Sequence, residues 1–147
     1  MSLNKTVDVL CEVPMFRNVD PKQLRLFAFM GETLTYRAGE RLFEKGDEGD
    51  AAFVVINGSV DVLVPTDDGE TAVATLSQRE IFGEMAVLCN QQRSTAIAAK
   101  TDVEVLRLDR SVIMNLLQEF PHIALELLKV LASRLEATTR DLAEARA

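Results

Sequence analysis

The apolar positions change their period twice along the chain. From Asn4 to Val13 and from Asp20 to Met30 they read as two short helices, the second with Leu24, Leu26, Phe27 and Met30 to supply a buried side. Asp20 is a suitable N-cap, Pro21 suits the first helical position, and Pro14 ends the first helix. From Glu32 to Asp109 the pattern becomes short apolar runs divided by glycine and acidic turns. It predicts strands over Thr33–Tyr36, Arg41–Glu44, Ala52–Ile56, Ser59–Val64, Thr71–Leu76, Ser94–Ala99 and Val103–Asp109. Val60, Val62 and Val64 alternate with Asp61 and Leu63 at the strand period of two, and Asn57-Gly58 and Asp67-Asp68-Gly69 read as hairpin turns. Many short strands at close spacing predict a small antiparallel roll or barrel.

Helical spacing returns at Ser111, whose hydroxyl is expected to cap Val112–Glu119, and Phe120-Pro121 opens a longer helix. Along that helix Leu128, Leu131, Leu135, Thr138 and Leu142 recur at alternating steps of three and four, the seam of a coiled coil. The seam predicts a homodimer through this helix, against the alternative of an amphipathic helix lying on its own domain.

Composition narrows the class. A chain of 147 residues with 48% apolar content is expected to fold as one domain with a sizeable core. No apolar run is long enough to span a bilayer, the first residues lack the pattern of a signal peptide, and two cysteines are too few for a disulfide framework, so a cytoplasmic location is expected. The net charge of −7 argues against nucleic-acid binding by this chain alone. His122 is the only histidine, and no cysteine lies near it to form a metal set. The acidic stretch from Gly46 to Asp50 lacks the ligand order of an EF-hand and reads as a solvated turn. No serine or cysteine has an identifiable base, so a binding module rather than an enzyme is expected.

The most informative chemistry lies between Phe82 and Ala96. A turn opened by Gly83 aims several backbone N–H groups at an anion, and Arg93 offers a planar fork of donors to the same phosphate. Glu84 repels a phosphate but accepts well from a ribose hydroxyl. Taken singly, Glu84 also reads as a helix-start carboxylate and Arg93 as its surface ion-pair partner. Cys89 reads as a buried small hydrophobe.

The run Phe82-Gly83-Glu84-Met85-Ala86 with Arg93 and Ser94 resembles the phosphate-binding cassette of the cyclic nucleotide-binding domain family. Gly39, the stretch Glu44–Asp50, Phe53 and Asn57-Gly58-Ser59 extend the likeness over roughly residues 13 to 140. One departure is Gln92, where the family commonly has proline. The resemblance implies a mainly β fold with flanking helices: a double-stranded β-helix, or jelly-roll-like antiparallel β-roll, with N-terminal helices and a long C-terminal dimerisation helix. It implies two parts, residues 1–120 as the nucleotide-binding roll and residues 121–147 as a lid and dimerisation helix. It assigns the phosphate to Gly83, Met85, Ala86, Arg93 and Ser94 and the ribose to Glu84. It places Thr138 against the purine amino group of the same subunit, and Thr139 against the base held by the partner subunit.

In relatives selective for cyclic GMP a threonine often follows the arginine, whereas cyclic AMP binders more often have alanine or serine. By that resemblance Ser94 is compatible with cyclic AMP, its hydroxyl leaves cyclic GMP open, and Thr95 is expected on the opposite face of the strand. Cyclic AMP is the ligand the resemblance favours, with no metal. A structural dimerisation domain of the same fold that has lost its ligand is the alternative. The family's transcription factors carry a helix-turn-helix domain after the dimer helix, for which the sequence to Ala147 leaves no room; the domain is expected either to work alone or to be part of a longer regulator.

Overall fold

A computed structural model describes residues 3–146. The N-terminal helices are α1 (Leu3–Glu12) and α2 (Pro21–Met30), joined through a short 3-10 turn at Pro14–Phe16. The Asp20 side chain caps α2 by accepting from the Lys22 N–H at 2.9 Å, with Pro21 in the first position.

Eight strands come next, β1 (Glu32–Tyr36), β2 (Arg41–Phe43), β3 (Ala51–Asn57), β4 (Ser59–Thr66), β5 (Gly69–Ser77), β6 (Ile81–Phe82), β7 (Ala96–Ala99) and β8 (Val103–Asp109). They form two four-stranded antiparallel sheets, in the orders β1-β8-β3-β6 and β2-β7-β4-β5. The result is the antiparallel β-roll with flanking helices that the sequence implies.

β3 is the axis of the molecule, and its composition explains why. Ala52, Val54 and Ile56 face the helical layer and pack with Leu106, Leu108 and the helices, while Ala51, Phe53 and Val55 face the second sheet and pack with Val60, Ile97 and Val105. A strand covered on both faces must be apolar at every position, and the first six residues of β3 are all buried.

Asn57-Gly58 is not a hairpin. β3 and β4 lie in different sheets, and Gly58 carries the chain from one to the other with φ +87°. A Cβ there would sit 2.3 Å from the Asp102 carbonyl oxygen, so the glycine serves a close crossing as well as a positive φ. Asp67-Asp68 does close a hairpin, with Thr66 opposite Gly69.

The two C-terminal helices are α4 (Arg110–Glu119) and α5 (Pro121–Arg146). The cap of α4 is Asp109, not Ser111: its Oδ1 accepts from the Val112 N–H at 3.1 Å and from the Ser111 hydroxyl at 2.8 Å. The Val112 N–H first, and the Ser111 hydroxyl second, hold the Asp109 carboxyl below the ordinary carboxylate range. Ile123 and Leu127 anchor α5 in the core, and Leu131 packs against its edge. The five seam positions therefore divide. Leu131 packs inward and Thr138 lines a cavity, whereas Leu128, Leu135 and Leu142 remain 63%, 67% and 52% exposed. No helix among the described residues is long and apolar enough to cross a membrane.

Candidate functional site

Between the chain after β6, the face of β4 and β5, and the inner side of α5 lies a cavity of about 550 Å³. That volume falls within the range of small-molecule sites, about 300–1,000 Å³. Its polar wall is built by one short helix, α3 (Glu84–Cys89), and by the loop behind it. Gly83 caps α3 at φ +78°, and a Cβ on it would sit 2.8 Å from Arg93 Nη1. Glycine is thus required both by the backbone and by the guanidinium beside it.

Arg93 lies inside the wall, only 5% exposed. Its Nη1 donates to the Gly83 carbonyl at 2.9 Å and its Nη2 to the Ala51 carbonyl at 2.7 Å, with the guanidinium 4.2 Å above the centre of the Phe43 ring. Burial lowers the Arg93 pKa from its ordinary value, and the Asp50 carboxylate, 3.9 Å away, is the main opposing influence. A guanidinium has five N–H donors. Two go to carbonyls, and Nε is buried without a partner among the described residues. A desolvated cation on a cavity wall suits an anion.

The backbone around Arg93 is fixed by the acidic turn. The Arg93 N–H donates to the Asp47 carbonyl at 2.7 Å, the Gly46 N–H donates to the Arg93 carbonyl at 2.9 Å, and Glu48 bridges to Gln92. Gln92 thus takes part in an antiparallel bridge. Gly49 passes under α3 so closely that a Cβ would sit 2.1 Å from that of Ala86. The glycine-rich acidic stretch is therefore the seat of the α3 loop, and no group of metal-ligating side chains occurs among the described residues.

Glu84 is 2% exposed, at the start of α3, and it does not pair with Arg93. Its partner is Arg134 of α5, whose Nη1 lies 2.5 Å from Glu84 Oε1 and whose Nη2 donates to the Ile81 carbonyl at 2.9 Å. Sequence reasoning missed this contact, which spans fifty residues. The available signal was a cation in the inward stripe of Leu127 and Leu131, where burial demands a partner.

The cyclic nucleotide-binding domain model matches residues 33–120. The chain belongs to the cyclic nucleotide-binding domain family. The catabolite activator protein of Thermus thermophilus is 32% identical and superposes with a TM-score of 0.79 over 88% of this chain and 61% of that one. A CRP-like cAMP-activated global transcriptional regulator of Mycobacterium tuberculosis is 25% identical over 138 residues, which are 93% of this chain and 62% of that protein. A lysophospholipase of Chaetomium globosum is 34% identical over 125 residues, 84% of this chain but 8% of that protein. The chain thus spans less than two thirds of each of these relatives.

Of the residues singled out in the family's cassette, Gly83, Glu84, Met85, Ala86, Arg93 and Ser94 all line the one cavity, and Thr138 lines it from α5. Thr139 is exposed and does not line it. Two expectations need correction. Thr95 lines the cavity beside Ser94, because β7 begins only at Ala96 and strand alternation does not yet apply. Cys89 is exposed, because α3 buries Glu84, Ala86 and Val87 and turns its last residue to solvent.

Proposed function

We propose that the chain is a cyclic nucleotide sensor that prefers cyclic AMP. The observation that carries this reading is the buried Arg93 guanidinium on the wall that also holds Glu84. The phosphate sits on the N–H groups of Gly83 to Ala86 and on Arg93 and Ser94. The ribose meets Glu84, the base lies under Thr138, and Thr139 reaches the base of a partner subunit. Residues 1–120 hold the nucleotide, and residues 121–147 act as lid and as the dimer contact, through the exposed Leu128, Leu135 and Leu142. The module is regulatory and not catalytic, works in the cytoplasm, and at a net charge of −7 does not itself bind nucleic acid.

Response follows from the Arg134–Glu84 contact. A ribose hydroxyl on Glu84 meets a carboxylate already tied to α5, so ligand affinity depends on whether the helix is docked. Only such differential affinity shifts a conformational equilibrium.

Isothermal titration with cyclic AMP and cyclic GMP tests the reading. A charge-assisted contact is worth about 1.5–3 kcal/mol, so Arg93→Ala is expected to weaken binding roughly tenfold to over a hundredfold. Unchanged affinity removes Arg93 from the site. The internal partners of Arg93 and Glu84 favour a second reading, a dimerisation domain that stands without ligand. That reading predicts no heat and no thermal shift with either nucleotide.

A further inference from the structure

The base-facing side of α5 carries a residue that the family's cassette does not include. Asp141 lies three positions beyond Thr138 and lines the cavity with Thr138 and Ala137. The other acids of this helix that form ion pairs, Glu126 and Glu136, pair with Lys129 and Arg140, whereas no described residue engages Asp141. Thr138 has already used its proton, because its Oγ1 donates to the Arg134 carbonyl at 2.9 Å. A hydroxyl so committed only accepts, and an ionised carboxylate only accepts. The Arg134 guanidinium, which lines the same cavity, is turned to Glu84 and Ile81. The helix therefore offers the base two acceptors.

Resting on the sensor reading above, we infer that Asp141 is a specificity-determining residue, a second acceptor that with Thr138 receives the two hydrogens of an exocyclic amino group. Adenine presents such a group. Guanine and hypoxanthine carry a carbonyl oxygen at that position, which meets two acceptors and no donor, and a polar group left unpaired at a site discriminates strongly. The hydroxyl of Thr138, ambivalent as a sequence feature, becomes selective through the helix carbonyl it serves.

The test titrates the full chain and its Asp141→Ala and Asp141→Asn variants with cyclic AMP, cyclic IMP, cyclic GMP and the cyclic monophosphate of purine riboside, which lacks the amino group. Asp141→Ala is expected to weaken cyclic AMP about tenfold and to leave the purine riboside compound unchanged. Asp141→Asn, whose amide donates as well as accepts, is expected to move the ratio toward cyclic IMP and cyclic GMP. Equal fold-changes for all four ligands overturn the inference while leaving the sensor reading intact. So does a larger loss for cyclic GMP than for cyclic AMP, which would mean that the acceptors face the ring N–H and amino group of guanine instead. If the unsubstituted protein binds none of the four, the sensor reading falls and this inference with it.

Discussion

Removing the guanidinium of Arg134 tests how α5 is held. The side chain makes two contacts at the head of the cavity, with Glu84 at 2.5 Å and with the Ile81 carbonyl at 2.9 Å. Glu84 is 2% exposed, so Arg134→Ala strands a buried carboxylate. Breaking a fully buried pair costs about 3–5 kcal/mol. Here the Arg134 side chain is 40% exposed. Water therefore reaches one side of the pair, and the expected loss drops to about 2 kcal/mol.

For a chain of this size that corresponds to a melting point lower by about 4–8 °C. Glu84→Gln keeps an oxygen for Arg134 and strands no charge, so its cost is expected near 1 kcal/mol. The decisive measurement is the double variant in urea unfolding followed by circular dichroism. Without the stranded carboxylate it should lose about 1 kcal/mol less than the sum of the singles. Additivity within about 0.5 kcal/mol would show that the two side chains do not couple and would refute the ion pair as a tie between α5 and the cavity wall.

Local geometry sets three further outcomes. Gly49→Ala drives a methyl into Ala86 and should destabilise the fold by about 1–3 kcal/mol in urea unfolding, with weaker cyclic nucleotide binding as the loop shifts. Asp109→Ala removes the α4 cap and should cost about 1 kcal/mol at neutral pH. Because the fold depresses the Asp109 pKa, that contribution is present above the ordinary carboxylate range and is lost as pH falls through the folded value. Melting curves of the two proteins should converge in acid. On the proposed dimer, Leu135→Glu should yield monomers in sedimentation velocity while leaving the melting of the roll near that of the parent, since Leu135 is 67% exposed.

Periodicity located most elements, because the physics that sets it is local. The valine alternation in β4 and the proline and acidic cap of α2 were legible for that reason. Pairing was not, since Asn57-Gly58 carries turn chemistry whether the next strand folds back or crosses to another sheet. β6 escaped notice because two residues show no period. In the site, the α3 loop was readable because its residues are neighbours in sequence. Its ties to the Ala51 and Asp47 carbonyls, to the Phe43 ring and to Arg134 were not, since each joins segments that only the folded roll brings together. Ser111 lost the capping role to Asp109 through a difference of two residues, the ordinary uncertainty of helix ends.

The placement of Arg93 between the Ala51 and Gly83 carbonyls has an evolutionary consequence. The same side chain braces β3 against the α3 loop and lines the cavity, so on the proposed function it cannot drift even where the anion is no longer needed. A lineage abandoning the ligand would have to rebuild the brace, replacing Arg93 together with Phe43 beneath it. Until that repacking occurs, selection for a stable roll alone preserves the guanidinium on which the proposed phosphate site rests. The guanidinium is also already immobilised before any nucleotide arrives, so the entropic penalty of ordering it falls on folding and not on capture.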